Sequence, residues 1–278
     1  MTTALTFSTP VGPEGAPLLV LGPSLGTSTI VWETALPVLA AEHRVVAWDL
    51  PGHGASEPAT GSFTVGDLAD AVADFVGSLG ASRIRYAGVS LGGAVGLELL
   101  LRHPGLVERA AILCSGAVIA TPASWRERAA QVRAQSTSAL LTGSAERWFA
   151  PGSVAAHADQ VGRLLHVLQN ADDESYARCC EALACYDVRD RLCEITAPVL
   201  AVWGGHDAVT PEASALRIAE GVRDGRAIGI PDASHLAPVD DPAAVARLLT
   251  AFFAGRDGGP DQDPTAAASA ETEERIRP

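Results

Sequence analysis

The amino-acid sequence predicts an α/β fold: a mainly parallel sheet with helices on both faces and a helical cap inserted after the strand at 109–114. Three observations predict it. Strand-like apolar runs alternate with helix-period segments over the first hundred or so residues, the alternation stops between about 117 and 194, and it resumes afterwards.

The elements follow in order. Residues 4–8 read as an edge strand, and 17–21 (Pro-Leu-Leu-Val-Leu) as a strand buried on both faces, since the run is apolar throughout. Residues 32–41 have helical spacing, 44–48 form the next strand, and 49–56 a loop punctuated by glycine. An amphipathic helix is expected over 65–79, where Val65, Leu68, Val72, Phe75 and Val76 recur near every 3.6 residues. A strand at 83–87, a helix of small and apolar residues at 93–102 and a strand at 109–114 complete the first half. The stretch 117–194 carries Trp125, Trp148 and Phe149, many arginines and several helical patterns without a convincing strand, and so reads as the cap. Strands at 198–203 and 227–230 and helices from Pro211 and over 242–253 finish the core. Thr210 before Pro211 reads as a helix start, a capping hydroxyl ahead of proline at the first helical position. From Gly255 the composition turns to Gly, Pro, Asp, Ala and Glu, as in a disordered tail or linker. The expected organisation is a core of 1–116 and 195–254, a cap of 117–194 and a tail of 255–278.

With 278 residues, 47% of them hydrophobic, there is ample material for one such core. A net charge of −13 argues against nucleic-acid or anionic-membrane partners, which need a basic face. The chain has no lysine, so an anionic ligand would have to be met by local arginines. The five cysteines, Cys114, Cys179, Cys180, Cys185 and Cys193, have neither metal spacing nor the look of a disulfide framework, and Cys114 ends an apolar run as a buried small hydrophobe would. Their odd number, with no signal peptide over 1–10 and no run of membrane-spanning length, predicts a soluble cytoplasmic protein.

Gly88-Val89-Ser90-Leu91-Gly92 lies between the strand at 83–87 and the helix at 93–102. A serine on a strand-to-helix turn, flanked by glycines two places away, is a nucleophile elbow: the tight turn lifts the Ser90 hydroxyl to the end of the sheet and points the Leu91 N–H at incoming negative charge. Such a serine needs a base, and the base needs an acid to fix its tautomer. Asp207 follows the strand at 198–203, and His235 follows the strand at 227–230, so both fall at carboxyl ends of strands beside Ser90. His43, His53, His103, His157, His166 and His206 lack that placement, and Asp232 shares the loop of His235 and reads as a turn former. The expected triad is Ser90, Asp207 and His235, in the chain order of the α/β-hydrolase fold. The oxyanion hole needs a second N–H from residues 22–26. Pro23 has none, leaving Leu25 as the expected donor and Ser24 or Gly26 as fallbacks. Asp49 and His53 read as stabilising their own loop.

Gly22-Pro23-Ser24-Leu25-Gly26-Thr27 with Trp32, the loop 49–56, Gly88 to Gly93, Arg147-Trp148-Phe149, Cys180 to Leu183 and Gly205-His206-Asp207 together resemble the 3-oxoadipate enol-lactonases, over roughly residues 6–253. The chain departs at Pro23, where the family often has Asn. The resemblance implies hydrolysis of the enol-lactone of 3-oxoadipate through an acyl-serine, in the breakdown of aromatic compounds, with no metal or organic cofactor. It implies a small anionic lactone as substrate, and hence an arginine at the pocket; Arg133 and Arg147 are the candidates, with Trp148 as an apolar wall. It also implies that the tail could be the stub of a linker to a carboxymuconolactone decarboxylase domain, as in some relatives. Other serine hydrolases of this fold (a carboxylesterase, a carbon–carbon bond hydrolase or a cofactor-free perhydrolase) remain alternatives. A ligand receptor of the same fold is a further one, which the complete triad weighs against.

Overall fold

The computed structural model describes residues 5–255. Among these residues seven strands form one sheet: β1 (Thr6–Phe7), β2 (Leu18–Gly22), β3 (Arg44–Asp49), β4 (Ile84–Val89), β5 (Val107–Leu113), β6 (Val199–Gly204) and β7 (Gly225–Ile230). Their order is β1-β3-β2-β4-β5-β6-β7. The short edge strand β1 runs antiparallel to β3, and every other pair is parallel. All residues of β2 are buried, as a strand with helices on both faces requires.

The helices of the first half are α1 (Leu36–Glu42), α2 (Val65–Ser78) and α3 (Leu91–Arg102). Thr64 starts α2 through a reciprocal cap with Asp67, and Val65, Leu68, Val72 and Val76 are buried along its inner face. Phe75 stacks on Phe7 of the edge strand, with ring centroids 3.6 Å apart. The helix expected over 32–41 is instead a 3-10 turn, Thr29–Trp32, followed by α1. Polar bonds to neighbouring strands divide it: the Trp32 indole N–H donates to the Gly22 carbonyl (3.0 Å) and the Thr29 N–H to the Asp49 carboxylate (2.7 Å).

Between β5 and β6 come α4 (Pro122–Gln135), α5 (Leu141–Trp148), α6 (Ser153–Ala156), α7 (Ala158–Asn170) and α8 (Asp173–Ala184), with α4 packed along α8. The chain then returns through α9 (Glu212–Gly221), α10 (Ala237–Asp240) and α11 (Pro242–Phe253). Cys114 is buried, and all five cysteines are unpaired. The expectation of a disordered tail over 255–278 lies outside the described residues except for Gly255. Among the described residues no helix is long and apolar enough to cross a membrane, and no cluster of acidic, His or Cys side chains could hold a metal ion.

Asp49 and His53 act within their own loop. Asp49 accepts from the Ala55 N–H (2.9 Å), and the His53 Nδ1–H donates to the Pro51 carbonyl (2.9 Å). Burial pushes the His53 imidazole down to about 4. An unfolded imidazole titrates near 6.5, so between these values the unfolded chain binds the extra proton and stability falls as pH falls. The loss amounts to roughly 3 kcal/mol and is complete below about pH 4. Urea midpoints measured from pH 7 down to 4.5 are expected to fall less steeply for His53→Asn than for the wild type; equal slopes would contradict this.

Candidate active site

Ser90 is the single residue between β4 and α3, with φ 54° and ψ −114°. A positive φ at a side chain other than glycine costs about 1–3 kcal/mol and persists only when its surroundings impose it. Here they do. The Ser90 N–H donates to the Leu113 carbonyl (2.9 Å), and its own carbonyl accepts the Ala94 N–H (3.0 Å) and the Ser115 hydroxyl (2.7 Å). The flanking glycines are required by contact. A Cβ on Gly88 would collide with the Gly92 carbonyl, and one on Gly92 would lie 2.6 Å from the backbone of Gly22 and Pro23.

The strand order explains why these two loops meet. From β2 the chain steps to β3 on one side, and β4 then pairs with β2 on the other, so the ends of β2 and β4 form the switch point of the sheet. The Gly92 N–H donates across this gap to the Pro23 carbonyl (2.9 Å), and Thr27 closes the β2 loop through its N–H (3.1 Å) and hydroxyl (2.8 Å) to the Ser24 carbonyl. Among the described residues, these turn bonds leave the Leu25 and Leu91 N–H groups without an acceptor, Leu91 being the first residue of α3. Pro23, the departure noted in the sequence, thus serves through its carbonyl, which needs no particular side chain.

β6 and β7 run parallel, so the loops that follow them emerge at the same end. Those loops bring the His235 Nδ1–H onto the Asp207 Oδ2 (2.9 Å), with both side chains buried. Asp207 Oδ2 also accepts the Thr210 hydroxyl (2.7 Å), while Oδ1 accepts the N–H groups of Val209 (2.7 Å) and Thr210 (3.1 Å). Burial by itself would raise the Asp207 carboxyl. The hydrogen bond and charge of His235 and the Thr210 donors outweigh it and hold the carboxyl below its ordinary value. With Nδ1 donating to Asp207, Nε2 is the imidazole nitrogen left with a lone pair. Asp232, by contrast, is exposed in the turn after β7. The Thr210 hydroxyl does not cap a helix, as its position before Pro211 suggested. Pro211 is the residue that precedes α9, without a side-chain cap, because the hydroxyl is taken by Asp207.

Ser90 and His235 line one cavity of about 280 Å³ together with Ser24 and Leu25. The inserted helices wall it with Trp125 and Arg128 from α4, Arg147 and Trp148 from α5, and Tyr176 from α8. The Arg128 guanidinium lies 5.1 Å from the centre of the Trp125 ring. Burial, and then the charge of Arg128, push the Arg147 guanidinium down. Among the described residues neither arginine is ion-paired, so two positive charges face one small, largely apolar space.

Arg133 is a correction: it lies outside this cavity and is held by Glu174 (2.8 and 2.9 Å) and Glu181 (2.6 Å) of α8. A guanidinium saturated by two carboxylates has no charge left for a ligand. The arginine that sequence reasoning missed is Arg128, three positions after Trp125 and therefore on the same helix face, a spacing that could have identified it.

The sequence matches the family described as alpha/beta hydrolase fold over residues 17–242. It is 32% identical over 250 residues to 3-oxoadipate enol-lactonase 2 of Acinetobacter baylyi, covering 90% of this chain and 93% of that protein. A Variovorax paradoxus protein named as the carbamate hydrolase RutD is 29% identical over 256 residues, covering 87% and 94%. Among solved structures, the enol-lactonase from Burkholderia xenovorans is similar with a TM-score of 0.87 at 30% identity, covering 91% of this chain and 97% of that one.

Proposed function

The chain belongs to the alpha/beta hydrolase family, and from that premise we propose that it opens the enol-lactone of 3-oxoadipate by an acyl-serine route. The observation that carries this reading is the pairing of His235 with Asp207 on a cavity shared by Ser90 and two guanidiniums that lack a carboxylate. His235 Nε2 takes the Ser90 proton as Oγ attacks the lactone carbonyl. The Leu25 and Leu91 N–H groups hold the oxyanion. Collapse breaks the ring C–O bond, His235 returns the proton to the departing enol oxygen, and the enol settles to the ketone. Water, deprotonated by His235, then releases the acid from Ser90. Arg128 and Arg147 receive the carboxylate that the lactone carries throughout. The cavity, at about 280 Å³, is just under the ~300–1,000 Å³ that holds drug-sized ligands, which favours a small acid over a long-chain ester. The five unpaired cysteines fit a reducing compartment, the cytoplasm in this proposal.

Carbamate hydrolysis is the second reading, kept by the relative named for it. Loss of enol-lactone absorbance in the presence of purified protein tests the first. Turnover of the lactone well above that of a neutral nitrophenyl ester or a small carbamate is expected; faster cleavage of either comparison compound would overturn the assignment.

Charge-assisted hydrogen bonds contribute about 1.5–3 kcal/mol, so Arg128→Gln and Arg147→Gln are each expected to lower kcat/KM for the anionic lactone by roughly 10–100-fold. The same variants should cleave a neutral ester nearly as the wild type does. Equal losses on both substrates would show that the guanidiniums do not read substrate charge.

A further inference from the structure

The two residues that flank His235 are both bonded to the segment that carries the pocket arginine and tryptophan. The Ser234 hydroxyl donates to the Arg147 carbonyl (3.1 Å), and the Leu236 N–H donates to the Trp148 carbonyl (2.9 Å). One carboxylate fastens the same two segments a second time. Asp240 Oδ2 accepts the Ser234 N–H at 2.7 Å, and both its oxygens lie 3.2 Å from the Ala150 N–H, just beyond Trp148. The single turn of α10 carries this carboxylate back over the loop, with the Asp240 N–H bonded to the Leu236 carbonyl (3.1 Å). Arg147 and His235 are far apart in sequence, yet they belong to one hydrogen-bonded unit.

We infer that Asp240 is a positioning residue: its carboxylate braces the His235 loop against the end of α5, setting the imidazole in register with the pocket wall. Without the brace, Ser234 and Ala150 lose their shared acceptor, and among the described residues the two flanking bonds are those left to hold the loop to the inserted helices. Displacement of about 1 Å at a catalytic base can cost about a hundredfold in rate. This inference rests on the proposed use of His235 as the base toward Ser90.

The test counts active sites before measuring rates. A nitrophenyl phosphonate, which modifies an activated serine and releases one nitrophenol per site, titrates the wild type and the variants. Rates on a neutral nitrophenyl ester are then expressed per titrated site. Asp240→Ala is expected to lower kcat per site by tenfold or more and to slow the phosphonate reaction in parallel. Asp240→Asn is expected to stay within about threefold of the wild type when its amide oxygen takes the place of Oδ2, since that one atom reaches both N–H groups. Should Asp240→Ala not fold, Asp240→Ser is the second variant: its hydroxyl keeps the site polar but ends one bond short of the two N–H groups that the carboxylate reaches. It is expected to lower kcat per site by tenfold or more, and a value within threefold of the wild type would overturn the proposal. Unchanged kcat per site in Asp240→Ala with only a lower Tm, or an Asp240→Asn as impaired as Asp240→Ala, would also overturn it. A wild type that releases no nitrophenol would instead defeat the reading of Ser90 and His235 itself.

Discussion

Replacing Ser90 by alanine is expected to lower kcat by about 10⁴–10⁶-fold while leaving the fold in place. The magnitude follows from the way nucleophile, base and acid act as a unit: removing the nucleophile costs nearly as much as removing all three, and what remains comes from the oxyanion donors and binding alone. At 1.36 kcal/mol per decade this corresponds to roughly 5–8 kcal/mol of transition-state stabilisation. The backbone of Ser90 offers an independent check. Its φ of 54° is adopted readily by glycine but not by serine or alanine. Ser90→Gly is therefore expected to be as inactive as Ser90→Ala but more stable, by about 1 kcal/mol, in thermal unfolding. A Ser90→Ala variant within tenfold of the wild type would remove the serine from the chemistry.

The second large effect is at Asp207, where the hydrogen bonds dictate what an asparagine would do. Oδ1 faces two main-chain N–H groups, those of Val209 and Thr210, so an amide must place its oxygen there. Its NH₂ group then takes the position of Oδ2, against the Thr210 hydroxyl and His235 Nδ1. An amide N–H pointing at Nδ1 requires that nitrogen to accept, which moves the imidazole proton to Nε2. In that tautomer the base cannot take a proton from Ser90. Asp207→Asn is thus expected to lose about 10⁴-fold in kcat with little change in the binding of a non-hydrolysable anionic analogue. Steady-state kinetics together with calorimetric binding of the analogue check this. A loss smaller than tenfold would mean that Asp207 does not set the tautomer of His235.

The parts of the molecule legible in the sequence are those in which chemistry and periodicity coincide. The strand at β2 announces itself because burial on both faces leaves no room for a polar residue. Ser90 announces itself because the turn tolerates almost no neighbouring side chain. Asp207 and His235 stand out by their places after late strands, which parallel pairing brings to one end of the sheet. Legibility failed where a side chain had two partners to choose between and only the fold decides. Thr210 has the right position to cap a helix, yet its hydroxyl is claimed by Asp207. Arg133 has the charge a ligand would need, but the packing of α4 on α8 delivers it to Glu174 and Glu181 and leaves Arg128 in the cavity. Trp32 has helical spacing, but its indole N–H reaches back to Gly22 and holds the chain in a tighter turn. Each case depends on a contact across elements that local pattern does not encode.

Formation of an acyl-serine at Ser90 is tested most directly by mass spectrometry of the protein rapidly quenched in acid during turnover of the enol-lactone. Opening a lactone leaves the departing oxygen tethered to the acyl group, so the intermediate carries the whole substrate. A mass increase equal to that of the intact lactone is expected, mapped to the peptide containing Ser90, and absent from Ser90→Ala and from His235→Ala, since His235 serves the attack on the carbonyl as well as the release. Sustained turnover with that peptide unmodified at every quench time, or an adduct on another residue, would contradict it.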